Sequence, residues 1–201
     1  MLVNIIVAIC ENFGIGLDNK IPWHLPSELK HFRKMTMTCQ NAAMQNAVIM
    51  GRKTYESIPQ QFRPLKRRVN VVLTREKGSI NKTEGVVVAR SLHNAFQLLR
   101  SPPLGGTIET AWICGGSSVY EEVLKRGCWN RLYITSVHEA YKCDAFFPVI
   151  NYAALRKVSD ELVSSGMQEE GGIVYHVDVY ENNNPVFDDQ LLVDDDIENR
   201  S

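Results

Sequence analysis

Three short apolar segments of this chain are each followed by basic residues beside a hydroxyl residue. Arg52, Lys53 and Thr54 follow AVIM, Thr74 and Arg75 follow VNVVL, and Arg90 and Ser91 follow GVVVA. If these segments are strands of an open α/β sheet, their ends lie where such sheets bind ligands, outside the carboxyl ends of the strands. The pattern therefore predicts a phosphate site, although for any single residue a solvent-facing charge is an equal alternative.

A glycine turn follows a fourth apolar segment, AWIC. Gly115, Gly116, Ser117 and Ser118 precede the helical pattern VYEEVLK, so free backbone amides and the positive end of the helix dipole would suit a pyrophosphate. The turn is neither G-x-G-x-x-G nor a P-loop, which argues against an ATPase and a standard dinucleotide fingerprint. Guanidinium groups commonly accept a 2′-phosphate, so the turn and the arginines together indicate NADPH in preference to NADH.

One carboxylate falls on the apolar side of a predicted helix. Glu28 shares a helical stripe with apolar residues that are spaced three, four and seven positions apart, namely Leu25, Leu29 and Phe32. A buried carboxylate is costly unless it is paired, so it is a candidate for a raised pKa and for binding an amide-like donor pair of a ligand. With Pro26 in the first turn, Glu28 is equally placed to cap the helix, and the sequence leaves both roles open.

Two more features admit both a functional and a structural interpretation. Trp23 precedes this helix, and Gly14, Ile15 and Gly16 form a turn that suits a mobile loop over a site, although a plain turn beside a core tryptophan is simpler. The basic run RPLKRR at residues 63–68 is either a solvated face or a clamp for a substrate carboxylate. The spacing does not identify which arginine of this run would bind the carboxylate.

The elements that must position these residues follow a regular alternation of apolar and amphipathic segments. It predicts a single α/β domain with a central, mostly parallel mixed sheet flanked by helices on both faces. After DAFFP the segment IVYHVDVY alternates strictly, and we expect an antiparallel, half-exposed edge strand, with a late hairpin closing the sheet. The domain is predicted to span residues 1–181. Residues 182–201, with six acidic side chains and one arginine, are predicted to form a weakly ordered extension.

Composition limits the class of protein. Lys+Arg of 22 against Asp+Glu of 23 leaves a net charge of -1, which argues against a nucleic-acid or membrane-surface partner. The five cysteines include no C-x-x-C pair and suit free thiols, so a cytoplasmic location is expected. The five histidines show no ligand spacing, so no metal site is expected. No apolar run is long enough to span a bilayer.

Taken in order, these motifs resemble the dihydrofolate reductase family, and most closely its eukaryotic, monofunctional type. The resemblance rests on IVAICENFGIGLDNKIPWHLPSELKHF, VIMGRKTYESIP, RPLKRRVNVVLTRE, WICGGSSVYEE and CDAFFP. It implies that family's fold, a monomer, and NADPH-dependent reduction of dihydrofolate to tetrahydrofolate, which supplies one-carbon metabolism. Hydride would go to the pterin C6 and a proton to N5. Antifolate inhibitors are implied as further ligands.

On the substrate side, the resemblance assigns three catalytic residues and a carboxylate clamp. Glu28 matches the acidic group that binds the pterin 2-amino group and N3 and supports protonation at N5, and Thr135 matches the hydroxyl that orients it. Trp23 matches a tryptophan that closes over the pocket and helps hold a water near Glu28. Arg68 matches the residue that binds the glutamate α-carboxylate. The residues expected around the pterin and benzoyl groups are apolar: Ile6, Val7, Leu29, Phe32, Ile58, Pro59 and Leu65.

On the cofactor side, the resemblance implies three groups of contacts. Ala8, Ile15 and Gly16 match the nicotinamide edge and its covering loop. Gly115 and Gly116 match a cis Gly-Gly peptide. Cofactor contacts are also expected from Leu73, Ser117, Ser118, Val119 and Tyr120, and the adenosine-phosphate subsite is matched by Arg52, Lys53, Thr54, Thr74, Arg75 and Arg90.

The sequence departs from the family pattern in the spacing from Trp23 to Glu28, which is one residue shorter than in vertebrate forms, and at two positions beside these motifs. Tyr55 stands where tryptophan is more common, and Arg67 replaces the usual glycine of the L-K-G-R segment. The Arg67 change bears on the geometry of the turn and on the charge near the substrate tail.

Two other functions fit parts of the pattern. A reductase of the same fold in riboflavin synthesis would bind a phosphoribosyl group, whereas Arg68 and the Glu28 pocket suit a glutamate tail. A non-catalytic nucleotide-sensing module would bind NADPH without turnover, and the set of Glu28, Thr135 and Trp23 argues against it.

Overall fold

The computed structural model describes residues 1–76, 78, 80 and 83–186. The strands of these residues are β1 (Leu2–Cys10), β2 (Gly14–Gly16), β3 (Gln45–Gly51), β4 (Arg68–Leu73), β5 (Val86–Ala89), β6 (Ile108–Ile113), β7 (Arg131–Val137), β8 (Ala145–Phe146), β9 (Leu155–Val158), β10 (Gln168–Glu170) and β11 (Ile173–Asn182). The helices are α1 (Pro26–Met37), α2 (Arg52–Ser57), α3 (Leu92–Arg100) and α4 (Ser117–Arg126).

The central sheet is mixed, with a parallel core. Its order is β10-β11-β7-β1-β6-β3-β4-β5, and β9 pairs with β11 off this path. Pairing is parallel from β7 through β1, β6, β3 and β4 to β5, whereas β11 is antiparallel to β7, β9 and β10. A separate antiparallel pair joins β2 to β8. The predicted fold class is therefore confirmed.

The prediction that IVYHVDVY is an edge strand is wrong. β11 lies between β7 on one side and β9 and β10 on the other, although its burial alternates as expected at Tyr175, Val177 and Val179. Period-two alternation reports which face of a strand is buried, and it carries no information on whether both backbone edges are paired. The predicted hairpin is present, since β10 and β11 are joined through Gly171 and Gly172, both at positive φ.

Helices cover both faces of the sheet because successive strand residues point to opposite sides. Ile5 belongs to one core cluster, together with Phe96 of α3 and Val123 of α4. Its neighbour Ile6 belongs to a second cluster, together with Met35 of α1. The parallel strands consequently carry near-continuous apolar runs, which is the pattern that predicted them.

The C-terminal boundary stays a prediction. β11 continues through Asn182, and the backbone N–H of Val186 donates to the carbonyl of Gly127 at 3.0 Å. Residues 187–201, which make up most of the predicted acidic extension, lie outside the described residues.

Arg67 occupies a turn that favours glycine. Its φ is 60°, a left-handed conformation in which a Cβ costs about 1 kcal/mol. The buried side chain of Asn70 holds this turn, accepting from the Leu65 N–H at 2.8 Å and donating to the Leu65 and Arg68 carbonyls at 2.9 Å each. The turn therefore forms without the expected glycine, at a cost in backbone conformation.

We expect Arg67→Gly to unfold with a free energy about 1 kcal/mol greater than that of Arg67→Ala, because only the glycine relieves the positive φ. Both variants remove the same guanidinium, so their difference isolates the backbone conformation. Urea unfolding followed by tryptophan fluorescence measures it. Coincident unfolding curves for the two variants would show that the turn relaxes to a negative φ.

Candidate active site

A large cavity of about 1980 Å³ opens at the carboxyl ends of the parallel strands. It is lined by the end of β4, by the starts of α1, α2 and α4, and by the loop that contains β2. Every site residue predicted from the sequence lines it, apart from Gly115 and Thr135, which lie directly behind lining residues. This convergence follows from topology, because the carboxyl ends of parallel strands meet at one edge of a sheet.

Glu28 presents a buried carboxyl group to this cavity. Its side chain is 6% exposed, and its Oε1 accepts a hydrogen bond from Thr135 Oγ1 at 3.5 Å. Burial raises the pKa of Glu28 from 4.5 to about 7, while the Thr135 hydrogen bond acts in the opposite direction. A carboxyl group that titrates near neutrality in a cleft is suited to proton transfer.

The alternative role of Glu28, capping α1, is taken by another residue. Ser27 donates from its backbone N–H and from Oγ to the two carboxylate oxygens of Glu170, at 2.8 and 3.0 Å. Glu170 belongs to β10, 143 positions from Ser27, so no local pattern predicts this contact. Glu28 is thereby left facing the cavity. Leu29, predicted on the same buried stripe, lines the cavity instead and is 51% exposed.

Trp23 is both a core residue and a wall of the cavity. It is buried beside Cys10, Leu25 and Val137, and its ring centroid lies 5.5 Å from that of Tyr141. The adjacent glycine turn is not a plain turn, because Gly14–Gly16 forms β2 and pairs with β8. The loop between β1 and α1 is therefore anchored to the β8 segment while its inner side borders the cavity.

Arg68 is distinguished from its neighbours by burial. It is 7% exposed, its Nη1 donates to Thr36 Oγ1 at 2.6 Å, and its Nε donates to the Lys66 carbonyl at 3.2 Å. Among the described residues it has no carboxylate partner, and burial lowers its pKa from the usual value. Arg63, in contrast, lies over the Tyr55 ring at 5.7 Å and outside the cavity. Arg68 thus offers a desolvated positive charge to an anionic ligand.

The other end of the cavity carries several cations. Arg52 is engaged by Glu56 at 3.0 Å and by Glu76 at 3.4 Å. Lys53, Arg75 and Arg90 also line this end and are exposed, and within the described part of the chain they have no acidic partner. Arg52 and Lys53 are the first two residues of α2, and Arg90 directly precedes the Ser91 cap of α3.

The glycine turn brings backbone close to this end of the cavity. The Gly115–Gly116 peptide is cis, as the resemblance implied, and the Gly115 carbonyl accepts from the Gly51 N–H at 2.7 Å. A Cβ at Gly115 would lie 2.8 Å from the Tyr120 ring. α4 begins at the next residue, Ser117, with no capping side chain and no acidic residue in its first turn. Its first amides are therefore open to an anion.

Several residues of the cavity wall were missed by the sequence analysis. They were assigned no role from the sequence and include Lys30, Arg33, Phe62 and Cys114. Helical spacing along α1 is a signal that could have found Arg33, since it lies four positions after Leu29, while the others depend on tertiary packing. Among the described residues, no helix is long and apolar enough to cross a membrane, and no group of three or more acidic, cysteine or histidine side chains could hold a metal ion.

Comparison with known proteins assigns the family. The family described as dihydrofolate reductase matches residues 2–182. The dihydrofolate reductase of Sus scrofa is 42% identical over 185 residues, which cover 90% of this chain and 98% of that protein. That of Aedes albopictus is 41% identical over 178 residues, with coverage of 89% and 96%. The solved Schistosoma mansoni dihydrofolate reductase matches with a TM-score of 0.81 at 32% identity, over 90% of this chain and 98% of that one. The chain therefore belongs to the dihydrofolate reductase family of oxidoreductases, as its sequence motifs indicated.

Proposed function

We propose that this protein reduces dihydrofolate to tetrahydrofolate with NADPH as the hydride donor. The observation that carries the proposal is one continuous cavity lined by a buried carboxyl group, Glu28, by a buried guanidinium with no carboxylate partner among the described residues, Arg68, and by a group of exposed cations. The first end suits a pterin with an acidic tail, and the second suits a phosphorylated dinucleotide.

The substrate half of the proposal rests on the walls around Glu28. The Glu28 carboxyl accepts from the pterin 2-amino group and N3, and Thr135 holds its orientation through the 3.5 Å hydrogen bond. Arg68 binds the tail carboxylate with two parallel N–H donors. The apolar side chains between them exclude water and contact the rings: Ile6, Val7, Leu29, Phe32, Ile58, Pro59 and Leu65.

The cofactor half rests on the glycine turn and the cations. NADPH, when bound, supplies the hydride. Gly115 and Gly116 leave no Cβ at the turn, so the backbone can approach a pyrophosphate beside the open amides of α4. Ala8, Ile15 and Gly16 border the nicotinamide position. The remaining proposed contacts surround the adenosine end and the start of α4: Arg52, Lys53, Thr54, Leu73, Thr74, Arg75, Arg90, Ser117, Ser118, Val119 and Tyr120.

Proton delivery to the pterin N5 is assigned to Glu28 and water. A pKa of about 7 means that a large fraction of Glu28 holds a proton at neutral pH. Trp23 closes the wall beside this carboxyl group and limits water to the positions that bridge Glu28 and the pterin. The protein thus contributes orientation, a dry pocket and a proton.

The setting of the enzyme is proposed from its chemistry. The cysteines Cys10, Cys39, Cys114, Cys128 and Cys143 are all free, which suits a reducing cytoplasm. A monomer acting on a small substrate, and inhibited by antifolates, fits the self-contained cavity of the described residues. Residues 182–201 are proposed as an extension outside the catalytic domain of residues 1–181.

Cofactor preference provides the first test. In an absorbance assay with dihydrofolate, we expect kcat/KM with NADPH to exceed that with NADH by about 100-fold, since charge-assisted hydrogen bonds to the extra phosphate contribute about 1.5–3 kcal/mol each. Arg75→Ala should reduce this preference about tenfold through loss of NADPH affinity.

The control for this test is the NADH reaction of the same variant. It should be unchanged, because Arg75 would meet only the extra phosphate. Equal losses with both cofactors would remove Arg75 from the phosphate subsite. NADPH binding without any turnover of dihydrofolate would favour a nucleotide-sensing module instead.

A further inference from the structure

Two thiols from distant parts of the chain lie together beside the loop of residues 11–17, which follows β1. Cys10 is the last residue of β1, and Cys143 lies just before β8, 133 positions later. Their Sγ atoms are 3.9 Å apart. Cys10 Sγ also donates to Asn12 Oδ1 at 2.9 Å, so its side chain is directed along the start of the loop. Within the part of the chain that the structure describes, this is the one sulfur–sulfur contact among the cysteines.

The backbone around these thiols joins the loop to the β8 segment. Asp144 N–H donates to the Gly16 carbonyl at 3.0 Å, and Phe147 N–H donates to the Phe13 carbonyl at 2.8 Å. Gly14 lies against Cys143 so closely that a Cβ there would collide with the thiol. Residues 11–17 are therefore held to the β8 segment by backbone hydrogen bonds at both ends of the loop.

We propose that Cys10 and Cys143 form a reversible disulfide that ties the end of β1 to the β8 segment and restrains the loop of residues 11–17. Ile15 and Gly16 of this loop line the cavity. That the restrained loop covers a cofactor rests on the proposed function, whereas the disulfide itself does not.

The exposure of the two thiols sets the order of the reaction with a disulfide oxidant such as glutathione disulfide. Cys143 is partly exposed and Cys10 is buried. The Cys143 thiolate attacks one sulfur of glutathione disulfide and releases one glutathione. Cys10, after losing its proton, attacks Cys143 Sγ in the mixed disulfide and releases the second glutathione. Two protein thiols are thereby oxidised, and one glutathione disulfide is reduced to two glutathione molecules.

The surroundings of Cys143 predict that the first step is slow at neutral pH. Burial, followed by the hydrogen bond and charge of Cys10, raises the pKa of Cys143 above its usual value, and the backbone hydrogen bond from Gly16 acts the other way. Asp144 adds to the increase. Since the thiolate is the nucleophile, oxidation should accelerate as the pH rises.

The test uses the full chain incubated with glutathione disulfide at mildly alkaline pH, followed by thiol titration and peptide mapping by mass spectrometry. We expect the five free thiols to fall to three, with a mass lower by two hydrogen atoms and a linked peptide pair containing Cys10 and Cys143. Dithiothreitol should restore all five thiols. Amide hydrogen exchange of residues 11–17 should be slower in the oxidised protein.

Two serine variants provide matched comparisons. Cys39→Ser, which removes an unrelated thiol, should still lose two thiols on oxidation, whereas Cys143→Ser should lose none. A persistent glutathione adduct on Cys143, unchanged exchange of residues 11–17 in the linked protein, or two thiols lost from Cys143→Ser would each overturn the proposal. None of these readouts uses turnover, so they are independent of whether dihydrofolate reduction is correct.

Discussion

Replacing Glu28 with glutamine is expected to lower the turnover of dihydrofolate by about 100-fold or more, the usual range for loss of a general acid–base group. Glutamine keeps the size of the side chain and can still accept one hydrogen bond from the pterin, but it has no proton to deliver to N5. The dissociation constant of NADPH should be unchanged, because Glu28 lies at the opposite end of the cavity from the exposed cations. Steady-state kinetics and fluorescence titration measure the two quantities separately.

The pH profile identifies the mechanism behind this loss. If protonated Glu28 is the active form, kcat/KM of the unmodified protein should fall about tenfold per pH unit above its pKa of about 7, since the proton is lost there. The Glu28→Gln profile should lack this step. Glu161→Gln, the same replacement at an exposed position, should retain both the rate and the profile. An unchanged turnover in Glu28→Gln would reject Glu28 as the proton donor.

Glu28→Gln should raise the free energy of unfolding at alkaline pH, although it lowers turnover. The folded state raises the pKa of Glu28 from 4.5 to about 7, so this proton stabilises the folded protein fully below pH 4.5, and the contribution is lost as the pH rises through about 7. At about pH 8 the folded protein buries a charged carboxylate, and Glu28→Gln should be the more stable by up to about 3 kcal/mol. Urea unfolding of both proteins at acidic and alkaline pH would measure this pH-dependent difference in stability.

Replacing Arg68 with leucine is expected to raise the KM for dihydrofolate by about 100-fold, which corresponds to the loss of charge-assisted hydrogen bonds worth about 3 kcal/mol. The reacting ring would still be held by Glu28, so kcat should change far less than KM. Steady-state kinetics with varied dihydrofolate measures both constants.

Two controls separate a carboxylate clamp from a general structural role of Arg68. Arg63→Leu changes another arginine of the same basic run, one that lies outside the cavity over Tyr55, and it should leave KM unchanged. A dihydropterin that lacks the glutamate tail should be reduced equally well by Arg68→Leu and by the unmodified protein. An equal loss on this truncated substrate would mean that Arg68 supports the pocket without binding the tail.

The sequence by itself determined the parallel core and the edge of the sheet at which the cations of the cavity meet. Continuous apolar segments predict strands that are buried on both faces, and the residues after parallel strands must meet at one edge of the sheet. For this reason Arg52, Lys53, Arg75 and Arg90 could be grouped in advance. The glycine turn before α4 carried a similar local signal.

Only the tertiary structure decided between alternatives that share the same local pattern. The position of Glu28 in the first turn of α1 allowed both a capping and a ligand-binding role. In the structure Glu170 of β10, far along the chain, accepts from the Ser27 N–H and caps the helix. Arg68 and Arg63 belong to one basic run, yet Thr36 draws the first into the core and Tyr55 holds the second outside the cavity. The alternation of β11 showed its buried face but not its second neighbour. The periodicity of a segment shows which of its faces is buried. Helix caps, carboxylate clamps and strand partners, in contrast, depend on residues that are distant in sequence and become neighbours only in the folded protein.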